Sequence, residues 1–255
     1  MKTILLIGLI IYLSIGLLLY LQQRSFIYFP PAETSAALNQ RVFQNEGHGI
    51  KVTVLNEDAE KAIIYFGGNA ENVDYNVDEF SKWFSEYTVY LVKYRGYGGS
   101  SGTPTEKAIY SDALYIYDAI RNEHETLSIM GRSLGSAVAT YIASKRAPSK
   151  LVLITPFDSI QRVAQSQFPL YPMSILLKDK HDSYSRAKAI KAETLVIAAE
   201  LDSVIKMSHT KRLVEGFASE VLFHEIQGAG HNDISNYPDY YRVIDEFLSN
   251  HADTD

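Results

Sequence analysis

Gly131-Arg132-Ser133-Leu134-Gly135 is a G-x-S-x-G sequence. It stands between an apolar run, Leu127 to Met130, and a helix-forming stretch, Ser136 to Arg146. A serine on so tight a strand-to-helix turn takes a strained backbone conformation, and its neighbours two residues away must lack side chains. The turn would lift the Ser133 hydroxyl above a sheet. It would also set the Leu134 N–H at a helix start, where a free amide and the helix dipole can hold an oxyanion. That is acyl-transfer chemistry with Ser133 as nucleophile. The chain has no cysteine, so a thiol nucleophile, a disulfide framework and a cysteine-based zinc site are excluded together.

A serine hydroxyl is a weak nucleophile without a base. Of seven histidines, His231 is the best placed: Gly228-Ala229-Gly230-His231-Asn232 directly follows the strand-like run Val221 to Ile226. His48 precedes an early strand, His124 lies in a charged turn, His224 is inside a strand and His251 is in the tail. The orienting acid should lie between serine and histidine, and Asp202 does, just past the run Leu195 to Ala199. Glu200, Asp233 and Asp158 are the competing carboxylates. A second oxyanion donor is expected from Gly67-Gly68-Asn69-Ala70-Glu71-Asn72, after the run Ala62 to Phe66, with the Asn69 N–H as the candidate. An ordinary Gly-Gly-Asn turn is the plainer reading of the same residues.

These groups need a scaffold that brings loops from distant parts of the chain to one edge. Ile50 to Leu55 alternates as a half-buried strand would. Ala62 to Phe66, Thr88 to Tyr94, Leu127 to Met130, Leu151 to Thr155 and Leu195 to Ala199 are compact apolar runs suited to buried parallel strands. Helical stretches alternate with them: Asn72 to Tyr87, Thr105 to Asn122, Ser136 to Arg146 and Tyr237 to Asn250. The alternation predicts an α/β fold: a doubly wound parallel sheet with functional loops at the strands' carboxyl ends. The segment 161–191, with Phe168-Pro169-Leu170-Tyr171-Pro172 and Ile175-Leu176-Leu177, is too long for a simple crossover and reads as a lid, inserted over about 160–191.

At the N-terminus, Ile4 to Leu21 is an uncharged run of 18 residues. As a helix it would span roughly 27 Å, about the thickness of a bilayer's hydrocarbon. Residues 1–24 are therefore expected to be a membrane anchor, and residues 25–255 the catalytic domain. A cleaved signal peptide and a buried core helix are the competing readings. The run exceeds the roughly 7–15 apolar residues usual in a signal peptide, and no A-x-A-like site follows closely. Lys2 and the α-amino group before the run, against Arg24 after it, lean towards an extracytoplasmic body. The net charge of −6, the pI near 5.7 and the scattered Lys and Arg argue against nucleic acid as a partner.

The chain resembles the BEM46-like α/β-hydrolases, a group that includes the ABHD13- and ABHD17-type proteins. The likeness runs through Phe26-Ile27-Tyr28-Phe29-Pro30, Gly68-Asn69-Ala70-Glu71-Asn72, Tyr94-Arg95-Gly96-Tyr97-Gly98-Gly99-Ser100 and the serine motif. It continues through Thr155-Pro156-Phe157-Asp158-Ser159, Asp182-Ser183-Tyr184 and Gly228 to Asp233. The resemblance implies one α/β-hydrolase domain, a mostly parallel eight-stranded sheet with helices on both faces and a short lid, with no metal or organic cofactor, and acyl-ester or thioester chemistry at Ser133, Asp202 and His231. Gly67 stands where many relatives have histidine, and Lys206 where they often have proline.

Lipophilic acyl substrates are expected from the anchor and from the apolar lid residues Phe168, Leu170, Tyr171, Met173, Ile175, Leu176 and Leu177. Gly68, Phe157, Phe168 and Tyr171 are the candidate substrate contacts. A serine peptidase, or a non-catalytic membrane-tethered interaction module, would fit the same scaffold.

Overall fold

The computed structural model describes residues 1–34 and 38–250. Its centre is an eight-stranded sheet: β1 (Gln40–Asn45), β2 (His48–Leu55), β3 (Lys61–Phe66), β4 (Tyr87–Val92), β5 (Thr126–Arg132), β6 (Lys150–Ile154), β7 (Glu193–Ala199) and β8 (Val221–Ile226). The spatial order is β1-β2-β4-β3-β5-β6-β7-β8. The two pairings at the β1 edge are antiparallel, and β4 through β8 run parallel. Every residue of β4 is buried, as a parallel strand covered on both faces requires.

The helices are α1 (Lys2–Ile27), α2 (Val77–Trp83), α3 (Glu106–Ile120), α4 (Leu134–Ala143), α5 (Ile160–Gln167), α6 (Met173–Leu176), α7 (Tyr184–Ala187), α8 (Met207–Val214) and α9 (Pro238–Ser249), with α3 and α4 packed on one face of the sheet and α2 and α9 on the other. Thr105 caps α3 by accepting the Ala108 N–H at 3.1 Å, and Ile109, Ala113, Ile116 and Ile120 form its buried stripe. On the other face, α2 and α9 meet through aromatic packing, with Trp83 stacked on Tyr241.

Three elements differ from the sequence expectation. The helix expected over 72–87 begins as a 3-10 turn, Val73–Asn76, because the Asn72 side chain accepts the Asp74 N–H and Asp74 turns inward. There Asp74 accepts from Thr53 at 2.7 Å and pairs with buried Lys93 at 2.7 Å. The edge strand β1 joins β2 through Glu46-Gly47, both at positive φ. The segment between β6 and β7 holds three short helices, α5, α6 and α7.

The helix α1 continues to Ile27. Its apolar span is long enough to cross a membrane, and none of it is buried within the protein. Gln23 and Ile27 are its buried residues.

Candidate active site

The carboxyl ends of β3, β5, β6, β7 and β8 converge on one edge of the sheet. Ser133 follows β5 with φ 48° and ψ −113°, a strained conformation for a residue with a side chain. The two motif glycines account for the turn. A Cβ on Gly135 would lie 1.9 Å from the Phe66 carbonyl oxygen, and one on Gly131 would lie 2.3 Å from the Gly135 carbonyl oxygen. The Ser133 N–H is held by the Ile154 carbonyl at 2.8 Å.

His231 Nε2 lies 3.0 Å from Ser133 Oγ, and His231 Nδ1 lies 2.7 Å from Asp202 Oδ2. A carboxylate only accepts hydrogen bonds, so it fixes the imidazole proton on Nδ1 and leaves Nε2 free to accept from the serine. The other Asp202 oxygen accepts the N–H groups of Val204 and Ile205, at 2.9 and 2.7 Å. The strands β7 and β8 are neighbours, which is why loops 29 residues apart in sequence place Asp202 against His231. The competing acids have other partners: Glu200 accepts from Gly228 N–H, Asp233 from Gly230 N–H, and Asp158 pairs with His209. His251 lies outside the described residues.

Leu134 and Asn69 line the same cavity as Ser133, and neither backbone N–H donates a hydrogen bond among the described residues. The Gly68 N–H is engaged by Glu71 Oε2 at 2.6 Å. The Asn69 side chain ties its loop to the α1 exit, its Oδ1 accepting from the Phe29 N–H and the Tyr97 hydroxyl, each at 3.0 Å.

Two residues escaped the sequence reading. Glu71 Oε1 accepts from Tyr65 and Asn76 while Oε2 holds Gly68. Arg132 donates to the carbonyls of His231 and Asn232, at 3.1 and 3.2 Å, and lies 3.8 Å from Glu71. The pair thus braces the β3 loop, the serine turn and the histidine loop against one another. Burial works against the charge on Arg132, but Tyr65 and Glu71 beside it outweigh that and hold its pKa above the ordinary arginine value. Their place inside two quoted motifs was the available signal; their partners lie in other loops.

Ser133 and His231 open on a largely apolar cavity of about 890 Å³. Gly68, Phe157 and Phe168 line it. Tyr171 does not: its ring stacks on Tyr12 of α1, with centroids 4.7 Å apart, and packs against Gly16. Tyr171, expected as a substrate contact, thus packs on α1 in this structure. The walls instead include Leu19, Gln23, Phe26 and Ile27 of α1. None of the anchor, signal-peptide and core-helix readings of the run placed it beside the serine, because a cavity wall on the far side of a helix leaves no pattern in composition.

An uncharacterized protein of Mycobacterium tuberculosis is 35% identical over 150 residues, 57% of this chain and 53% of that protein. The human alpha/beta hydrolase domain-containing protein 17B, of the group that the sequence motifs resemble, is 31% identical over 165 residues, 63% of this chain and 56% of that protein. The chain spans about half the length of these curated relatives. Among solved structures, the Pyrococcus furiosus esterase Pf2001 shares the fold with a TM-score of 0.68 at 16% identity, covering 87% of this chain and 96% of that one. MGS-M2, an alpha/beta hydrolase from a deep-sea metagenome library, superposes with a TM-score of 0.67 at 15% identity, covering 83% and 98%. Residues 40–231 match the family model for serine hydrolase (FSH1), and the chain belongs to that serine hydrolase family.

Proposed function

We propose that the protein hydrolyses acyl esters or thioesters of lipophilic substrates through an acyl-enzyme on Ser133. The observation that carries this reading is the continuous chain from Ser133 Oγ through His231 to Asp202, at 3.0 and 2.7 Å, on the wall of a large apolar cavity. In the first step Ser133 Oγ bonds to the acyl carbon while its proton passes to His231 Nε2. The Leu134 and Asn69 amides hold the oxyanion. Asp202 remains a carboxylate and stabilises the imidazolium. Collapse breaks the bond to the leaving alcohol or thiol, which takes the proton from His231. Water then gives a proton to His231 as its oxygen attacks the acyl carbon. Breaking the Ser133 ester bond returns that proton to the serine and frees the carboxylic acid.

In this reading residues 1–24 anchor the protein in a membrane, residues 25–255 are the hydrolase domain, and 160–191 form a lid over the cavity. The charge balance around the span favours an extracytoplasmic domain. The length and apolarity of α1 support the anchor.

Fluorophosphonate labelling of the detergent-solubilised protein tests the chemistry. The adduct should map to Ser133, vanish in Ser133→Ala and fall sharply in His231→Ala. Turnover surviving in Ser133→Ala would overturn the mechanism. A series of acyl esters should show faster hydrolysis of longer chains; no preference beyond acetyl would remove the lipophilic part.

A further inference from the structure

The helix α1 and the segment 170–179, around α6, are joined along a seam far longer than tethering needs. Tyr12 Oη donates to the Leu170 carbonyl at 2.8 Å, and Tyr171 Oη donates to the Tyr12 carbonyl at 3.3 Å. Tyr171 lies against Gly16, where a Cβ would stand in ordinary contact, 3.4 Å from the ring. Further along, Lys178 Nζ sits 4.3 Å over the Tyr20 ring, Gln23 bonds the Leu176 carbonyl and the Lys178 N–H, and Arg24 pairs with Asp179 at 3.0 Å. The seam follows one face of the helix from Tyr12 to Arg24.

Its position fixes a depth. Polar residues begin at Gln22, so Leu21 marks the end of the apolar span. Tyr12 lies roughly 13 Å further in along the helix, and Leu170 and Tyr171 lie beside it. The charges of Lys178, Asp179 and Arg24 fall at the level expected for headgroups. Two features of the segment suit hydrocarbon. Leu170 and Ile175 are each 78% exposed, and Phe168 is exposed as well. Several backbone groups there are also paired without water. Pro169 and Pro172 have no N–H, Gln165 donates to the Phe168 and Pro169 carbonyls, Tyr12 to Leu170, and Gln23 to Leu176.

We infer that the lid tip, Phe168 to Ile175, is immersed in the same leaflet as the second half of α1, and that the cavity between them takes the acyl chain of a membrane lipid directly from hydrocarbon. The substrate's route rests on the ester-hydrolase reading above; the depth of the lid does not. Leu19 and Phe26 on one side, with Phe168, Met173 and Leu176 on the other, continue the leaflet's apolar environment to Ser133.

The native chain has no cysteine, so single nitroxide labels can be placed without competition. Leu170→Cys and Ile175→Cys would be labelled in the full-length protein in phosphatidylcholine vesicles. Ile11→Cys in α1 and Val42→Cys on β1 serve as membrane and water references. Collision with oxygen and with a water-soluble nickel chelate then reports depth. The lid labels should match position 11, with oxygen favoured over nickel at least tenfold relative to position 42. Lid labels that behave like position 42 would overturn the inference whether or not the protein is active. In a second arm, Leu170→Lys/Ile175→Lys should lower hydrolysis of long-chain lipid esters in vesicles at least tenfold and leave a soluble short-chain ester unaffected. Equal rates on the vesicle substrate would overturn direct uptake from the leaflet.

Discussion

Glu71 braces the loop that carries the proposed oxyanion donor Asn69. Its two oxygens hold Gly68, Tyr65 and Asn76, and the amide next to Gly68 is the proposed oxyanion donor of Asn69. Truncation in Glu71→Ala leaves the Gly68 N–H without its acceptor and frees the loop to turn. Outright loss of an oxyanion donor typically lowers turnover by ~10²–10³. A displaced one should cost less, so kcat is expected to fall about tenfold to a hundredfold with KM little changed. Steady-state kinetics on a short soluble ester would show the split, and Glu71→Gln should restore part of the loss. A rise in KM with kcat unchanged would assign Glu71 to substrate binding instead. The residues brought together around the serine were legible as types: a serine between glycines, a histidine in a glycine-rich loop, an acid past a strand. The Glu71–Arg132 brace was not, because it links three loops that meet only once the parallel strands lie side by side.

At the scale of elements, His181 ties together the exit of α1, the helix α3 and the segment leaving the lid. It is fully buried, its ring nitrogens each 2.9 Å from the hydroxyls of Tyr28 and Tyr110, and Tyr28 also reaches Asp179. Burial pushes its pKa from 6.5 down to about 4, although Glu106 and Asp179 nearby pull the other way. A histidine kept neutral when folded binds its proton more readily when unfolded. Its stabilising effect is therefore complete above about pH 6.5 and is lost progressively as the pH falls towards 4. The full loss is on the order of 3 kcal/mol. Thermal unfolding of the detergent-solubilised protein between pH 4 and 7 should show this slope, and His181→Gln should flatten it. Equal slopes in both proteins would exclude His181 as the source.

Elements differ in how openly their sequences announce them. Buried parallel strands such as β3, β6 and β7 are continuous apolar runs and could be read directly. The strand β1 buries only Phe43 deeply, and at a sheet edge a polar, interrupted pattern is what the environment selects. Its one clear mark was the two-residue connection Glu46-Gly47. The helix expected over 72–87 shares its apolar spacing with the 3-10 turn and α2. The break comes from Asp74 reaching Lys93, a long-range ion pair that periodicity does not register.

For the whole molecule, the governing question is whether α1 remains attached. Four of its residues line the cavity, and Tyr12, Gln23 and Arg24 bond the lid segment. Loss of residues 1–24 would take two of those four, Leu19 and Gln23, from the wall of the proposed active site, and the bonds of Tyr12, Gln23 and Arg24 with them. Intact-mass measurement of the protein extracted from membranes should therefore find residues 1–24 retained, and alkaline carbonate should not release it. A mature form lacking them would favour the signal-peptide reading.

The seam also makes lid position and helix tilt a single mechanical coordinate. A lid bonded to its helix at Tyr12, Gln23 and Arg24 cannot swing without moving the helix or breaking those bonds. The tilt of a spanning helix responds to hydrophobic mismatch between its length and the bilayer. Vesicles of stepwise increasing acyl length should then give a turnover that peaks at one thickness, with a soluble ester unaffected. On that account the protein would gauge the membrane that holds it, hydrolysing fastest where the bilayer is matched to its anchor.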